Sequence, residues 1–220
     1  VERRLRLTRR CLEVLVEHRN PVAITTKSWL VSRDTDLLGA LAEHDAAAVA
    51  LSVTTLRNDL QRTLEPRTAI PARRLGAIRV LADAGIPVGV AVAPVIPGLT
   101  DHEMPAILEA AADAGASFAH YILLRLPWGV ADEFERWLRR HVPDRADKVL
   151  SRLRSLRGGR LYDARFGVRG RGEGPFAEQL RQMFEVHTRR LGLDRAPTLS
   201  AAAFRRPEPD AGPQLGLFDS

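Results

Sequence analysis

The 220-residue chain carries 33 Lys and Arg against 27 Asp and Glu, a formal net charge of +6, with 45% hydrophobic and 27% charged residues; this is the balance of a globular protein with a sizeable core and excludes a disordered chain. No run of about 18 uncharged apolar residues is present, and the opening VERRLRLTRR lacks the apolar core and cleavage site of a signal peptide, so a cytoplasmic protein without membrane attachment is expected. Cys11 is the only cysteine, which rules out a disulfide framework and any cluster held by several cysteines of this chain.

From Thr8 onward, Cys11, Leu12, Leu15 and Val16 recur at helical spacing and stop before Asn20 and Pro21. They predict an amphipathic helix with Cys11 as a small core residue. VAITTKSWLV, from Val22, reads as a strand, and Leu37, Leu38 and Leu41 place a helix after Asp34. AAVALSVTTL, residues 47–56, repeats the strand signal, and Pro71 opens a helix carrying Leu75, Ile78 and Leu81 that ends at Gly85. The third strand, IPVGVAVAPVIPGLTD (86–101), closes in Pro94, Pro97 and Gly98. Thr100 and Glu103 then stand at capping-box spacing before Met104, Ile107, Leu108 and Ala111. FAHYILLRLP, residues 118–127, is the fourth strand.

Two helices are predicted next, near 131–141 with Phe134, Trp137 and Leu138, and near 145–157 with Val149, Leu150, Leu153 and Leu156. In 157–175 glycines interrupt any period, and Arg157, Arg160, Arg165, Arg169 and Arg171 alternate with Tyr162 and Phe166. A helix over roughly 176–191 follows, and from Ala196 the Pro, Ala and charge content reads as a flexible tail.

Four strands apolar on both faces and alternating with helices indicate an α/β fold, a parallel sheet covered by helices. The expected organisation is a partial (β/α) barrel over 1–130, a helical and Arg/Gly-rich extension over 131–195, and a tail over 196–220. A chain that opens on a helix is expected to be the later part of a barrel. Chemistry in such folds sits at the carboxyl ends of the strands, here 26–28, 52–55, 93–98 and 124–127.

At those ends Lys27 is one of only two lysines, the other being Lys148, and can hold a carboxylate or phosphate as a point charge. Ser52, Thr54 and Thr55 bring hydroxyls suited to ribose or carboxylate. Arg67, in LEPRT, can clamp a carboxylate, or else pair with Glu65 at the surface. The six histidines are scattered singly, most of them as surface residues, and form no catalytic or metal-ligating pattern. The basic charge suits nucleic acid, although an Arg- and Ala-rich composition also follows from a GC-rich genome.

TKS after one strand, SVTTL followed by LEPRT and PARRL, and VGVAVAPVIPGLTD together resemble the radical S-adenosylmethionine family of the spore photoproduct lyase type. GGRLYDARFG and RGEGP are similar to a bacterial subgroup of DNA-repair-photolyase-like proteins, and the likeness covers roughly 1–195. The resemblance implies that Val95, Ile96 and Gly98 wall the adenine of S-adenosylmethionine with Leu123 beside it, that Lys27 meets the cofactor's carboxylate, and that Ser52 meets its ribose or methionyl part, with Arg67 as an addition. It also implies a [4Fe-4S] cluster on three cysteines of a loop after the first strand. That loop is absent from this chain, so the cluster is expected only in a longer intact protein, and this chain alone is expected to be inactive.

The last residues, GPQLGLFDS, reverse the polar trend of the tail. Gln214, Leu215, Leu217 and Phe218 look like the short peptide by which bacterial repair proteins dock on the DNA polymerase sliding clamp. Clamp docking would bring Arg160, Arg165, Phe166, Arg169 and Arg171 to DNA, to hold phosphates or stack on bases; equally, these arginines can pair with Asp163 and Glu173. Two functions stand at this point. One is a radical enzyme acting on nucleic acid or a nucleotide through a 5′-deoxyadenosyl radical; the other is a non-catalytic DNA-associated module tethered to the clamp.

Overall fold

The computed structural model describes residues 2–207. A short helix α1 (Glu2–Leu5) precedes α2 (Leu7–Glu17), β1 (Val22–Thr26), a 3₁₀ turn (Trp29–Asp34), α3 (Thr35–Ala42), β2 (Ala47–Val53), α4 (Asn58–Leu64), α5 (Pro71–Asp83) and β3 (Val88–Val95). A second 3₁₀ turn (Asp101–Glu103) leads into α6 (Met104–Asp113) and β4 (Phe118–Leu123), followed by α7 (Val130–His141), α8 (Pro143–Ser155), α9 (Val168–Arg171) and α10 (Pro175–Leu191). Among the described residues no helix is long and apolar enough to cross a membrane.

The four strands form one parallel sheet in the order β1-β2-β3-β4. Sequential parallel neighbours joined by helices of one hand place all the crossovers on the same face, and the packing agrees. Val49, Leu51, Val53, Val88, Val90 and Val92 meet Leu38 and Leu41 of α3, Ala77, Ile78 and Leu81 of α5, Ile107, Leu108 and Ala111 of α6, and Leu180 of α10. This is one layer of a partial (β/α) barrel.

The opposite, inner face is built from small residues. The register sets Thr25 beside Ala50, Gly89 and Phe118, and Ser52 beside Ala91 and His120. At Gly89 a side chain is impossible, because a Cβ would stand 2.3 Å from the Phe118 carbonyl oxygen and 2.6 Å from its ring.

A second core caps the carboxyl ends of the strands. Leu60 of α4, Ile96 and Leu99 of the turn after β3, Phe134 and Leu138 of α7, and Val149, Leu150 and Leu153 of α8 pack there. Pro97 and Gly98 make that turn. Leu99 N–H donates to the Ile96 carbonyl at 3.0 Å and Gly98 takes φ +82°, the pattern of a type II turn with Pro and Gly in their favoured places.

Several local expectations are corrected. Thr100 and Glu103 do not form a capping box: Thr100 Oγ1 accepts Ile96 N–H at 2.9 Å, and Glu103 turns to the β2 side, where it accepts Leu56 N–H at 2.8 Å and the Thr55 hydroxyl at 2.7 Å. Cys11 is exposed rather than in the core, since Leu12 alone in α2 is fully buried. Helix α4, with its Asn-Asp-Leu-Gln-Arg-Thr-Leu sequence, has only Leu60 and Leu64 at helical spacing and was not foreseen.

The segment expected to be flexible from Ala196 is tied down as far as Arg205. Ala119 N–H donates to the Leu193 carbonyl (2.9 Å), Ser200 N–H to that of Asp45 (2.9 Å) and Arg205 N–H to that of His18 (2.8 Å). Leu199 meanwhile packs on the Ala48, Ala50, Ala91 and Phe118 patch, so this strap covers part of the inner face. Gln214, Leu215, Leu217 and Phe218 lie outside the described residues.

Candidate functional site

The carboxyl ends of β1, β2 and β3 bring a compact polar constellation together. Lys27 follows β1 by one residue, and its Nζ lies 2.9 Å from Glu65 Oε1, 2.9 Å from the Ala93 carbonyl oxygen, 3.0 Å from Ser52 Oγ and 3.3 Å from Thr54 Oγ1. The Ala93 carbonyl is the hub. It also lies 2.8 Å from Ser52 Oγ and 2.9 Å from Thr54 Oγ1, so groups from β1 and β2 converge on a single backbone atom of β3.

Glu65 supplies the negative charge. The loop after α4 carries it inward, where Oε1 accepts the Thr54 hydroxyl at 2.7 Å and Oε2 accepts Arg74 Nη2 at 2.6 Å. Arg74 is 1% exposed, yet every part of its guanidinium is used. Nε donates to the Ala69 carbonyl at 2.7 Å, Nη1 to that of Ser52 at 2.9 Å, and Nη2 also to Thr68 Oγ1. Gln61 holds the same loop through the carbonyls of Glu65 and Thr68.

Two cations and one carboxylate leave the constellation with one surplus positive charge. Burial pushes the Lys27 ammonium below its ordinary value, against the upward pull of Glu65. Burial would raise Glu65 likewise, but the charge and hydrogen bonds of Lys27, with that of Arg74, bring its carboxyl below the ordinary range. The group with access to solvent is Lys27, whose side chain is 32% exposed against 11% for Glu65.

The predicted site residues divide. Lys27, Ser52 and Thr54 come together at one end of the sheet. Arg67 is exposed and stands apart from that cluster; its proposed partner Glu65 is held by Lys27 and Arg74 instead. Val95, Ile96 and Leu123 are 1%, 0% and 0% exposed, enclosed by the two cores, and Gly98 faces Lys148 and Val149 of α8. The part of the β3 end that reaches the inner face is Ala93 with Pro94.

His120, one of the singly scattered histidines, sits on the inner face opposite Ala91. It lines a cavity of about 230 Å³ with Thr25, Ala48, Ala50 and Leu199. Burial pushes its pKa below the ordinary histidine value. Its period-2 spacing from Phe118 and Ile122 is the signal that places it there.

In the Arg/Gly-rich segment the arginines differ in role. Arg157 is fully buried, donating from Nη1 to the Leu161 carbonyl at 2.7 Å and from Nη2 to that of Leu124. Arg165 pairs with Asp163 at 2.7 Å and Glu173 at 3.0 Å, which is the ion-pair alternative to a phosphate contact. Phe166 is 89% exposed, with the Arg169 guanidinium 5.0 Å above its ring centre. Arg160 and Arg171 are exposed.

Among the described residues no group of three or more His, Cys, Asp or Glu is placed to hold a metal ion. A [4Fe-4S] cluster therefore does not fit the described residues. For S-adenosylmethionine the partly exposed Lys27 ammonium fits its carboxylate; the hydroxyls of Ser52 and Thr54, 5% and 2% exposed, lie directly behind it, and Val95, Ile96 and Leu123 are buried away from it.

A family model described as the radical SAM superfamily matches residues 2–111. An uncharacterised protein of Mycobacterium tuberculosis is 34% identical over 138 residues, 62% of this chain and 39% of that protein. One of Methanocaldococcus jannaschii is 27% identical over 144 residues, 66% of this chain and 52% of its own. The match thus spans well under half of the mycobacterial relative and about half of the archaeal one. No solved structure gives a significant match.

Proposed function

The chain belongs to the radical SAM superfamily, and on that premise we propose that the Lys27, Ser52 and Thr54 end of its sheet receives the amino-acid and ribose parts of S-adenosylmethionine. The protein in which this wall works is then a radical enzyme of the spore photoproduct lyase type, acting on nucleic acid or a nucleotide, with its cluster ligands supplied by polypeptide other than the residues described above. The supporting observation is the Lys27 constellation, which sets a partly exposed cation, backed by two buried hydroxyls, at the strand ends where such folds bind ligands. When bound, S-adenosylmethionine supplies the 5′-deoxyadenosyl group. The chain's own residues bind and orient: Glu65 and Arg74 hold Lys27 in place, Lys27 neutralises the carboxylate, and Ser52 and Thr54 exchange their contact with the Ala93 carbonyl for contacts to the ligand.

Calorimetric titration of the chain with S-adenosylmethionine tests this. Binding that weakens at least about tenfold in Lys27→Met and Ser52→Ala, one lost charged hydrogen bond being worth that much, supports the assignment. Equal affinity of both variants and the parent overturns it.

A second function is favoured by the sequence of the final residues. Gln214, Leu215, Leu217 and Phe218 have the order of a clamp-docking peptide, and a DNA-associated module tethered in this way needs no radical chemistry. Titration against the sliding clamp separates the two. Binding abolished by Leu217→Ala with Phe218→Ala supports the tether, and no binding by the parent chain removes it.

A further inference from the structure

Next to the Lys27 constellation, across Ser28 and Thr68, lies a cavity of about 580 Å³ between the turn after β1, the loop 67–70 and the first turn of α5. Its charged walls are Arg3, Arg67 and Arg73, and among the described residues no carboxylate lines it. None of the three arginines forms an ion pair among the described residues; Glu65, two positions before Arg67, is already held by Lys27 and Arg74. Three guanidinium groups around one space repel one another unless an anion enters. Arg73 adds to the imbalance, because it stands in a first helical turn without an acidic residue, where the helix dipole already disfavours a cation.

Of the uncharged lining residues one is aromatic, Trp29, beside Leu30 and Ile70. Trp29 is 37% exposed, and its backbone is fixed by the 3₁₀ turn that Ser28 caps, with Leu30 N–H donating to Ser28 Oγ at 3.2 Å. Guanidinium groups beside an accessible indole match a phosphate joined to a flat ring. The volume suits a ligand of nucleotide size. A duplex keeps its bases stacked away from such a wall, whereas an unpaired nucleotide offers its base face.

We propose that this cavity holds one nucleotide of a single-stranded nucleic acid, its phosphate among Arg3, Arg67 and Arg73 and its base against Trp29. The assignment gives Arg67 a phosphate to hold in place of a cofactor carboxylate. It rests on the nucleic-acid part of the function proposed above, and not on what Lys27 binds.

The test is an anisotropy titration of the full chain with a labelled oligothymidylate and with an abasic strand of equal length, repeated over a range of salt. Arg67 and Arg73 are exposed, so Arg67→Ser with Arg73→Ser retains the fold, as circular dichroism will verify. The double variant is expected to bind at least about tenfold more weakly, and the slope of log K against log salt is expected to shrink by about 0.7, the value for one phosphate contact on a single strand. Trp29→Leu is expected to abolish the preference for thymidylate over the abasic strand, a loss of about fivefold or more.

If the parent chain binds the strand and the double variant binds it equally well, the cavity is overturned while the nucleic-acid function stands. Failure of the parent chain to bind either strand overturns both. Equal affinity for the two strands, unchanged by Trp29→Leu, reduces the cavity to a bare phosphate site and overturns the nucleotide assignment.

Discussion

Glu65 binds two cations with its two oxygens: Oε1 lies 2.9 Å from Lys27 Nζ and Oε2 lies 2.6 Å from Arg74 Nη2. Residues from the end of β1, the loop after α4 and the start of α5 are thereby locked into one unit. Glu65→Gln leaves two neighbouring half-buried or buried cations without a counter-charge, and is expected to cost about 3 kcal/mol of stability. Urea denaturation measures this, with an unchanged slope showing that the unfolded state is unaffected.

The same carboxylate makes stability depend on acid. Its folded pKa lies below the ordinary carboxylate value, so the unfolded chain takes up a proton first. The contribution of Glu65 is complete above the ordinary value of 4.5 and is lost as pH falls through the lower folded value. A pH series of denaturation midpoints is expected to fall over that interval in the parent, and the parent's advantage over Glu65→Gln is expected to shrink there.

Glu103 ties β2's exit loop to the start of α6 through Leu56 N–H and the Thr55 hydroxyl. Glu103→Ala leaves a half-buried amide and a buried hydroxyl without their acceptor, at a cost of about 2 kcal/mol. Amide exchange at Leu56 is expected to accelerate in this variant while the β2 amides remain protected.

Two glycines should respond unequally to alanine. Gly98→Ala meets only ordinary contacts but must hold φ +82°, which costs about 1 kcal/mol. Gly89→Ala drives a methyl into the Phe118 backbone at 2.3 Å and forces β4 off β3, so its thermal midpoint is expected to drop much further. A larger loss at Gly98 than at Gly89 would contradict the close β3–β4 approach.

Phe166→Ala tests the exposed end of the Arg/Gly-rich segment. With its ring 89% exposed, stability is expected to change by no more than about 0.5 kcal/mol. Weaker binding of single-stranded DNA in this variant would assign the Phe166 and Arg169 pair to a nucleic-acid surface; unchanged binding would remove it.

The strands and most helices were legible because their cues are local. β-branched runs mark β1 to β3, Pro71 opens α5, and Pro97-Gly98 closes the third strand in a turn. The same local cues misled where a residue's partner is distant. Thr100 and Glu103 have capping-box spacing, but the amides of Ile96 and Leu56 compete for them and win. Lys27 and Ser52 could be singled out at strand ends, whereas the hold of Glu65 on Lys27 and Arg74 depends on how a loop folds back. His120 was visible only through strand alternation, which carries no chemical signal of its own. Arg157 was indistinguishable from its exposed neighbours, since burial of an arginine is decided by which carbonyls surround it.

The bonds from Ser200 to Asp45 and from Arg205 to His18 also bear on the order of assembly. Domains emerge from the ribosome amino end first, so the sheet and its outer helices can form while the Ala48, Ala50 and Phe118 patch is still bare. Leu199 reaches that patch only after the residues of all four strands have left the ribosome. The newly made sheet therefore passes through an interval with a sticky, uncovered face, and in that interval a chaperone or a neighbouring nascent chain competes with the protein's own strap.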